Sequence, residues 1–128
     1  MDFYRLTHAV LDQSAAHGVV YKEDFLSPDF CGQATLGPWG EYLSAIQKAA
    51  QEAEKAHGIV MKLIVTCIRH FGPDKAKNAI LCAAETSGGF IRGFGMGGAE
   101  TFEVQANYLY SFDMAREAGL SLTTHAGE

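Results

Sequence analysis

The residues best suited to chemistry are His125 and Glu128, which lie in the segment SLTTHAGE at positions 121–128. A neutral imidazole is a zinc ligand and a neighbouring carboxylate can carry a proton, so the pair suits metal-assisted hydrolysis. Ala126 and Gly127 between them favour a turn, which lets both side chains point into the same edge of a sheet. The spacing is equally consistent with a strand terminus followed by a glutamate that starts a helix.

The elements that position this segment alternate between helix and strand. Helical periodicity covers residues 2–17, 41–57, 74–86 and 102–118. Apolar strands start near residues 19, 59, 90 and 120, and glycine stands between each helix and the strand that follows it. This order predicts an α/β fold with a parallel sheet and right-handed crossovers. Functional residues in such sheets gather at the carboxyl ends of the strands.

Polar residues follow the predicted strands at those ends. They are found at residues 23–25, 69–70, 97–100 and 125–128. His70 is as well suited to positioning a loop as to touching a ligand. The run 59–68 is nearly all apolar, which predicts a strand covered on both faces. The glycine-rich segment 94–98 lacks the G-x-G-x-x-G spacing and the early position of a dinucleotide-binding fingerprint, so that kind of site is not favoured.

The composition excludes several classes of protein. A chain of 128 residues is one domain or part of one, and its net charge of −5 with ten scattered Lys and Arg disfavours nucleic acid as a partner. Three cysteines without a CxxC pair predict free thiols in a reducing compartment. Neither a signal-peptide pattern nor a membrane-length apolar run occurs, so we expect a cytoplasmic protein that does not bind membranes.

Four ordered motifs carry a family resemblance. Residues 121–128, SLTTHAGE, resemble the fifth strand of the adenosine deaminase family, which belongs to the metal-dependent amidohydrolase barrels. Residues 20–28, VYKEDFLSP, are similar to the second-strand pattern YxExRFSP, and residues 68–73, IRHFGP, to the third-strand ending RHxxP. Residues 93–100, GFGMGGAE, resemble the fourth-strand pattern G-[FI]-D-L-A-G-D-E. The resemblance runs from about residue 3 to residue 128 and implies strands two to five of a (β/α)8 TIM barrel.

The resemblance also implies roles for three residues. His125 matches the family's zinc-binding histidine and Glu128 its proton-donating glutamate, while Gly98 matches the glycine whose backbone N–H contacts the purine. A side chain at Gly98 would displace the base. The implied reaction is zinc-dependent hydrolytic deamination of adenosine, or of a related 6-aminopurine, to inosine plus ammonia. The implied partner is therefore a purine nucleoside or base.

Departures from the family pattern limit this expectation. Gly95 and Ala99 stand where the fourth-strand pattern has aspartates, and no H-x-H occurs in the sequence. The family takes its other zinc ligands from that H-x-H and from an eighth-strand aspartate, so one ligand of four is present, too few for catalytic zinc. The 128 residues correspond to about half a barrel, and we expect them to be inactive in isolation.

Two interpretations of the chain follow. It is either a segment of an adenosine deaminase-like enzyme or a non-catalytic half-barrel module that binds itself or a partner chain. Both leave unpaired sheet edges, near residues 19–25 and 120–124, so both predict self-association or a missing other half.

Overall fold

In the computed structural model, which describes residues 2–128, four parallel strands alternate with helices. The helices are α1 (Phe3–Ala16), α2 (Leu36–His57), α3 (Pro73–Glu85) and α4 (Leu109–Glu117). The strands are β1 (Tyr21–Leu26), β2 (Val60–Ile68), β3 (Ile91–Gly97) and β4 (Ser121–Leu122), and they pair in that order. Every neighbouring pair is parallel, as the alternation of elements predicts. Right-handed crossovers therefore place the connecting helices on one face of the sheet.

The two faces of β2 differ in burial. Met61, Leu63, Val65 and Cys67 are buried and pack with the helices in one hydrophobic core, whereas the residues between them are half-buried. The prediction that residues 59–68 are covered on both faces is thus wrong for one face of β2, which the helices do not reach. This face carries Val60, Lys62, Ile64, Thr66 and Ile68. We call it the inner face, because a closed barrel would enclose it.

Helix α2 begins earlier than its composition predicts. The sequence pattern places residues 30–40 in a loop, but the helix starts at Leu36 and includes Pro38 in its first turn. A proline costs no hydrogen bond there, because the first N–H groups of a helix have no intrahelical partner. Trp39 is fully buried, and its indole N–H donates to Thr86 Oγ1 at 2.9 Å. Burial of Trp39 stabilises the first turn of α2, where Gly37 and Gly40 disfavour a helix.

Two other predicted elements are shorter in the structure. The predicted helix 102–118 is irregular at first, then forms a 3-10 turn (Gln105–Tyr108), and only its last part is the α-helix α4. The last strand spans Ser121–Leu122 alone, although backbone hydrogen bonds to β3 continue beyond it. Among the helices of residues 2–128, none combines the length and apolar composition needed to cross a bilayer.

The thiols of the three cysteines should be unreactive in the folded chain. Burial raises the pKa of Cys31 to about 11, of Cys67 to about 12 and of Cys82 to about 11. The thiolate is the reactive form, so we expect almost no reaction with a disulfide reagent at pH 8 until the chain is unfolded, and then three equivalents. Absorbance of the released thiolate measures this. A thiol that reacts at once in the folded chain would contradict the packing described here.

Candidate functional site

Backbone pairing between β3 and β4 places the candidate site. Gly93 pairs with Ser121 and Phe94 with Leu122, and the N–H of His125 then donates to the carbonyl oxygen of Met96 at 2.8 Å. The pairing therefore continues to His125, at the carboxyl ends of the strands. This is the edge at which the sequence predicts the functional residues.

Three side chains meet at that edge. His125 Nε2 lies 3.1 Å from Glu128 Oε2, and the backbone N–H of Glu128 donates to Glu100 Oε1 at 2.9 Å. One ligand atom from each of the three residues lies within 4.8 Å of the other two. Gly127 has a φ of +82°, a conformation that glycine adopts without strain, so the turn predicted between His125 and Glu128 forms.

Glu100 is held in its charged form. The backbone N–H groups of Glu128 and Gly127 lower the pKa of its carboxyl below the ordinary value, and the nearby guanidinium of Arg69 acts in the same direction. Hydrogen bonds from backbone N–H groups are stronger to the charged carboxylate than to the protonated carboxyl group, so they favour the charged form. Glu100 is thus an acceptor rather than a proton donor at this edge.

Arg69 supports the site from the end of β2. Its side chain is 1% exposed, and Nη2 donates to the carbonyl oxygen of His125 at 3.3 Å. Tyr108 in turn donates its hydroxyl hydrogen to the carbonyl oxygen of Arg69. Within residues 2–128, Arg69 Nε and Nη1 are buried and have no hydrogen-bond partner. A buried guanidinium with a charge-assisted bond to the His125 backbone restricts where the imidazole can lie.

The backbone conformation and close packing at position 98 require a glycine. Its φ is +95°, and a Cβ atom added to it would lie 2.7 Å from Nδ1 of His70 and 3.3 Å from the backbone N of Arg69. His70 also accepts a hydrogen bond from the N–H of Ala99 at 3.4 Å, so it positions the loop that follows β3. The close packing on His70 accounts for the glycine without any ligand.

A cavity of about 290 Å³ opens beside His125 on the inner face of the sheet. Its lining residues are Phe25, Thr66, Met96, Gly97, Thr123, Thr124 and His125. A larger cavity of about 510 Å³ lies between β4 and the segment before α4, where the lining residues carry no titratable group. The smaller cavity is therefore the one that can serve chemistry at His125.

Sequence reasoning missed the contacts of Arg69 and Glu100. The sequence predicts that both residues lie at the carboxyl edge of the sheet, but it indicates no role for either of them. The signal available was position alone: Arg69 follows β2, and Glu100 closes the segment GFGMGGAE after β3. Their partners lie 56 and 28 residues away, at His125 and Glu128.

Comparison with known proteins agrees with this geometry. The family model described as adenosine deaminase matches residues 1–128. The chain belongs to the adenosine deaminase family. Adenine deaminase of Chelativorans sp. (strain BNC1) is 39% identical over 127 residues, and that of Rhizobium leguminosarum bv. trifolii (strain WSM2304) is 41% identical over 127 residues. Each alignment covers 99% of this chain and 39% of the relative, so the chain spans well under half of either protein.

Solved structures confirm the fold of this adenosine deaminase family member. An amidohydrolase from Burkholderia ambifaria with bound Zn superposes with a TM-score of 0.90 at 26% identity, over 98% of this chain and 35% of that one. Adenine deaminase from Arthrobacter aurescens gives a TM-score of 0.82 at 26% identity, over 98% of this chain and 38% of that one. The predicted α/β fold with successive strands of a TIM barrel is confirmed.

Replacing Gly98 by alanine should destabilise the chain more than replacing a glycine in open space. Gly119 is the matched control, because its φ is +76° and a Cβ there would meet nothing within 4 Å. Both variants acquire left-handed strain, roughly 1–2 kcal/mol, and Gly98→Ala adds the clash with His70. Urea unfolding of both variants checks this. Equal losses would mean that His70 and the β3 loop are not packed as described.

Proposed function

We propose that residues 1–128 form part of the active site of a zinc-dependent deaminase that hydrolyses the 6-amino group of a purine. The observation that carries the proposal is the contact between His125 Nε2 and Glu128 Oε2, at the carboxyl edge of a parallel sheet in a member of the adenosine deaminase family. Residues that perform catalysis in such sheets lie at that edge. In this proposal the 128 residues are one part of a longer barrel.

The donor set at the site fits a zinc ion in part. Imidazole and carboxylate are both zinc ligands, and catalytic sites usually supply three protein ligands. Within residues 2–128, His125 supplies the imidazole of the cluster, and the carboxylate of Glu100 already accepts a hydrogen bond from the N–H of Glu128. We assign His125 as one ligand, with the others contributed from outside this segment. When bound, Zn²⁺ supplies Lewis acidity and a nucleophile at neutral pH.

The remaining roles belong to Glu128 and Gly98. Glu128 holds a proton toward ring nitrogen N1 of the purine and transfers it as a water-derived nucleophile adds to C6. The 6-amino group takes the proton of the added hydroxyl and leaves as ammonia, while C6 keeps the oxygen as a carbonyl. The other proton of the water returns to Glu128, so the carboxyl group is regenerated. A carboxyl group positioned for such a transfer contributes about 10²–10⁴-fold to the rate. The backbone N–H of Gly98 orients the purine from the end of β3.

Adenine is the substrate that the comparisons favour. The relatives at 39% and 41% identity are both named adenine deaminase, and so is the protein from Arthrobacter aurescens whose fold superposes on this chain. Adenine would give hypoxanthine and ammonia, in place of the inosine expected from adenosine. The cavity beside His125 is lined mainly by apolar atoms, which suits a planar base.

The uncovered inner face supports the second candidate function, a half-barrel that associates with a copy of itself. On β1, Tyr21 is 51% exposed and Phe25 is 65% exposed, and both belong to the inner face. The strands β1 and β4 each have one neighbour, so each presents an unpaired edge. Either the rest of a barrel or a second copy covers this surface.

Activity should require more than this segment. We expect the isolated chain with added Zn²⁺ to release no ammonia from adenine or adenosine, since one imidazole does not hold catalytic zinc. A chimera with residues 1–128 in place of the matching segment of the Chelativorans enzyme should deaminate adenine. In the chimera Glu128→Gln should lower kcat by about 10²–10⁴-fold, and His125→Ala should abolish turnover and reduce bound zinc.

His17→Ala is the matched control for the chimera, because His17 is exposed at the end of α1. It should leave kcat and zinc content unchanged. Turnover by the isolated chain that His125→Ala removes would overturn the inactive-segment proposal. A folded chimera whose turnover survives both His125→Ala and Glu128→Gln would overturn the roles of these residues.

Self-association of the isolated chain should depend on Phe25. Phe25→Ser removes an exposed aromatic ring from the inner face, so it should weaken concentration-dependent association in sedimentation equilibrium. Val104→Ser is the control, because Val104 is 67% exposed but lies in the loop before α4. If the two variants associate alike, the inner face is not the contact surface.

A further inference from the structure

Within the part of the chain that the structure describes, no backbone hydrogen bond of the sheet reaches residues 126–128. The backbone pairing with β3 ends at His125, and residues 126–128 are exposed and lie outside the strand. In the part of the chain that the structure describes, their long-range backbone anchor is Glu100, whose Oε1 accepts from the N–H of Glu128 at 2.9 Å. The position of the Glu128 carboxyl therefore depends on a side chain from the loop after β3.

We propose that Glu100 is a positioning residue that fixes the turn carrying Glu128. Its carboxylate accepts a hydrogen bond from the backbone N–H of Glu128, and this bond orients the Glu128 side chain toward His125 Nε2. The catalytic meaning of this contact rests on the proposed function, but the contact itself does not. Glu100 acts through Glu128 and needs no contact with substrate.

The loop that carries Glu100 is itself anchored to the 3-10 turn Arg69–Phe71, which follows β2. Gly98 packs against His70, and the N–H of Ala99 donates to His70 Nδ1 at 3.4 Å. Glu100 follows these two residues directly, so its backbone cannot move far from the sheet edge. A side chain held in this way can serve as a fixed acceptor at little further cost in conformational entropy.

A different role for Glu100 would be that of a metal ligand, since its carboxylate lies within 4.8 Å of the other two ligand atoms. The two roles require different chemistry. A hydrogen-bond acceptor can be replaced by the amide oxygen of glutamine, which keeps the length of the side chain. A ligand carboxylate cannot be replaced so easily, because a neutral amide binds zinc far more weakly than a carboxylate does.

The test compares Glu100→Ala and Glu100→Gln in the 128-residue chain, without metal. Amide hydrogen exchange measured by NMR should be about tenfold faster at Glu128 in Glu100→Ala, the factor expected for loss of one hydrogen bond. Glu100→Gln should restore the slow exchange. Glu103→Ala removes a carboxylate from the same loop, where Glu103 binds Asn107, and should leave the Glu128 amide unchanged.

Two results would overturn the proposal. They are unchanged exchange at the Glu128 amide in Glu100→Ala, and equal acceleration of that exchange in the Glu100→Ala and Glu100→Gln variants. Neither of these readouts depends on turnover, so failure of the deaminase proposal and failure of the positioning proposal can be told apart.

Discussion

The hydrogen bond from the His125 N–H to the Met96 carbonyl oxygen determines what the site can be. It is the last bond of the β3–β4 pairing, and side chains along a strand alternate between faces. A slip of one residue would therefore turn the imidazole away from the inner face and separate it from the cavity beside it. The register thus makes the imidazole of His125 point to the inner face of the sheet. Everything beyond His125 depends on that register, because the turn at Gly127 brings Glu128 back only toward a correctly placed histidine.

Side chains of adjacent strand ends reinforce this register. Arg69 reaches from the turn after β2 to the carbonyl oxygen of His125, and Glu100 reaches from the loop after β3 to the N–H of Glu128. His70 in turn holds the loop that carries Glu100. Each contact joins a side chain to a backbone group, so together they restrict the path of the chain rather than a single rotamer. These contacts hold the carboxyl edge of the sheet in place although no further strands of a barrel pack against it.

Much of the fold follows from sequence because its signals are local. The apolar run of β2 and the glycines at the helix ends predict alternating elements, and His125 with Glu128 is predictable because a single turn separates them. The start of α2 was not predictable, since burial of Trp39 depends on its contact with Thr86 across 47 residues. The roles of Arg69 and Glu100 were missed for the same reason, because register decides their partners. Gly98 shows the reverse case: the glycine was predicted to matter, but its packing on His70 explains it without a ligand.

One NMR measurement tests the register between β3 and β4 directly. In a parallel pair, the residue whose N–H bonds to a carbonyl lies close to the α-protons of the next residue on the partner strand. We predict a nuclear Overhauser cross-peak between the amide proton of His125 and the α-protons of Gly97. A cross-peak from His125 to Gly95 instead, or a His125 amide with no contact to β3, would contradict the account.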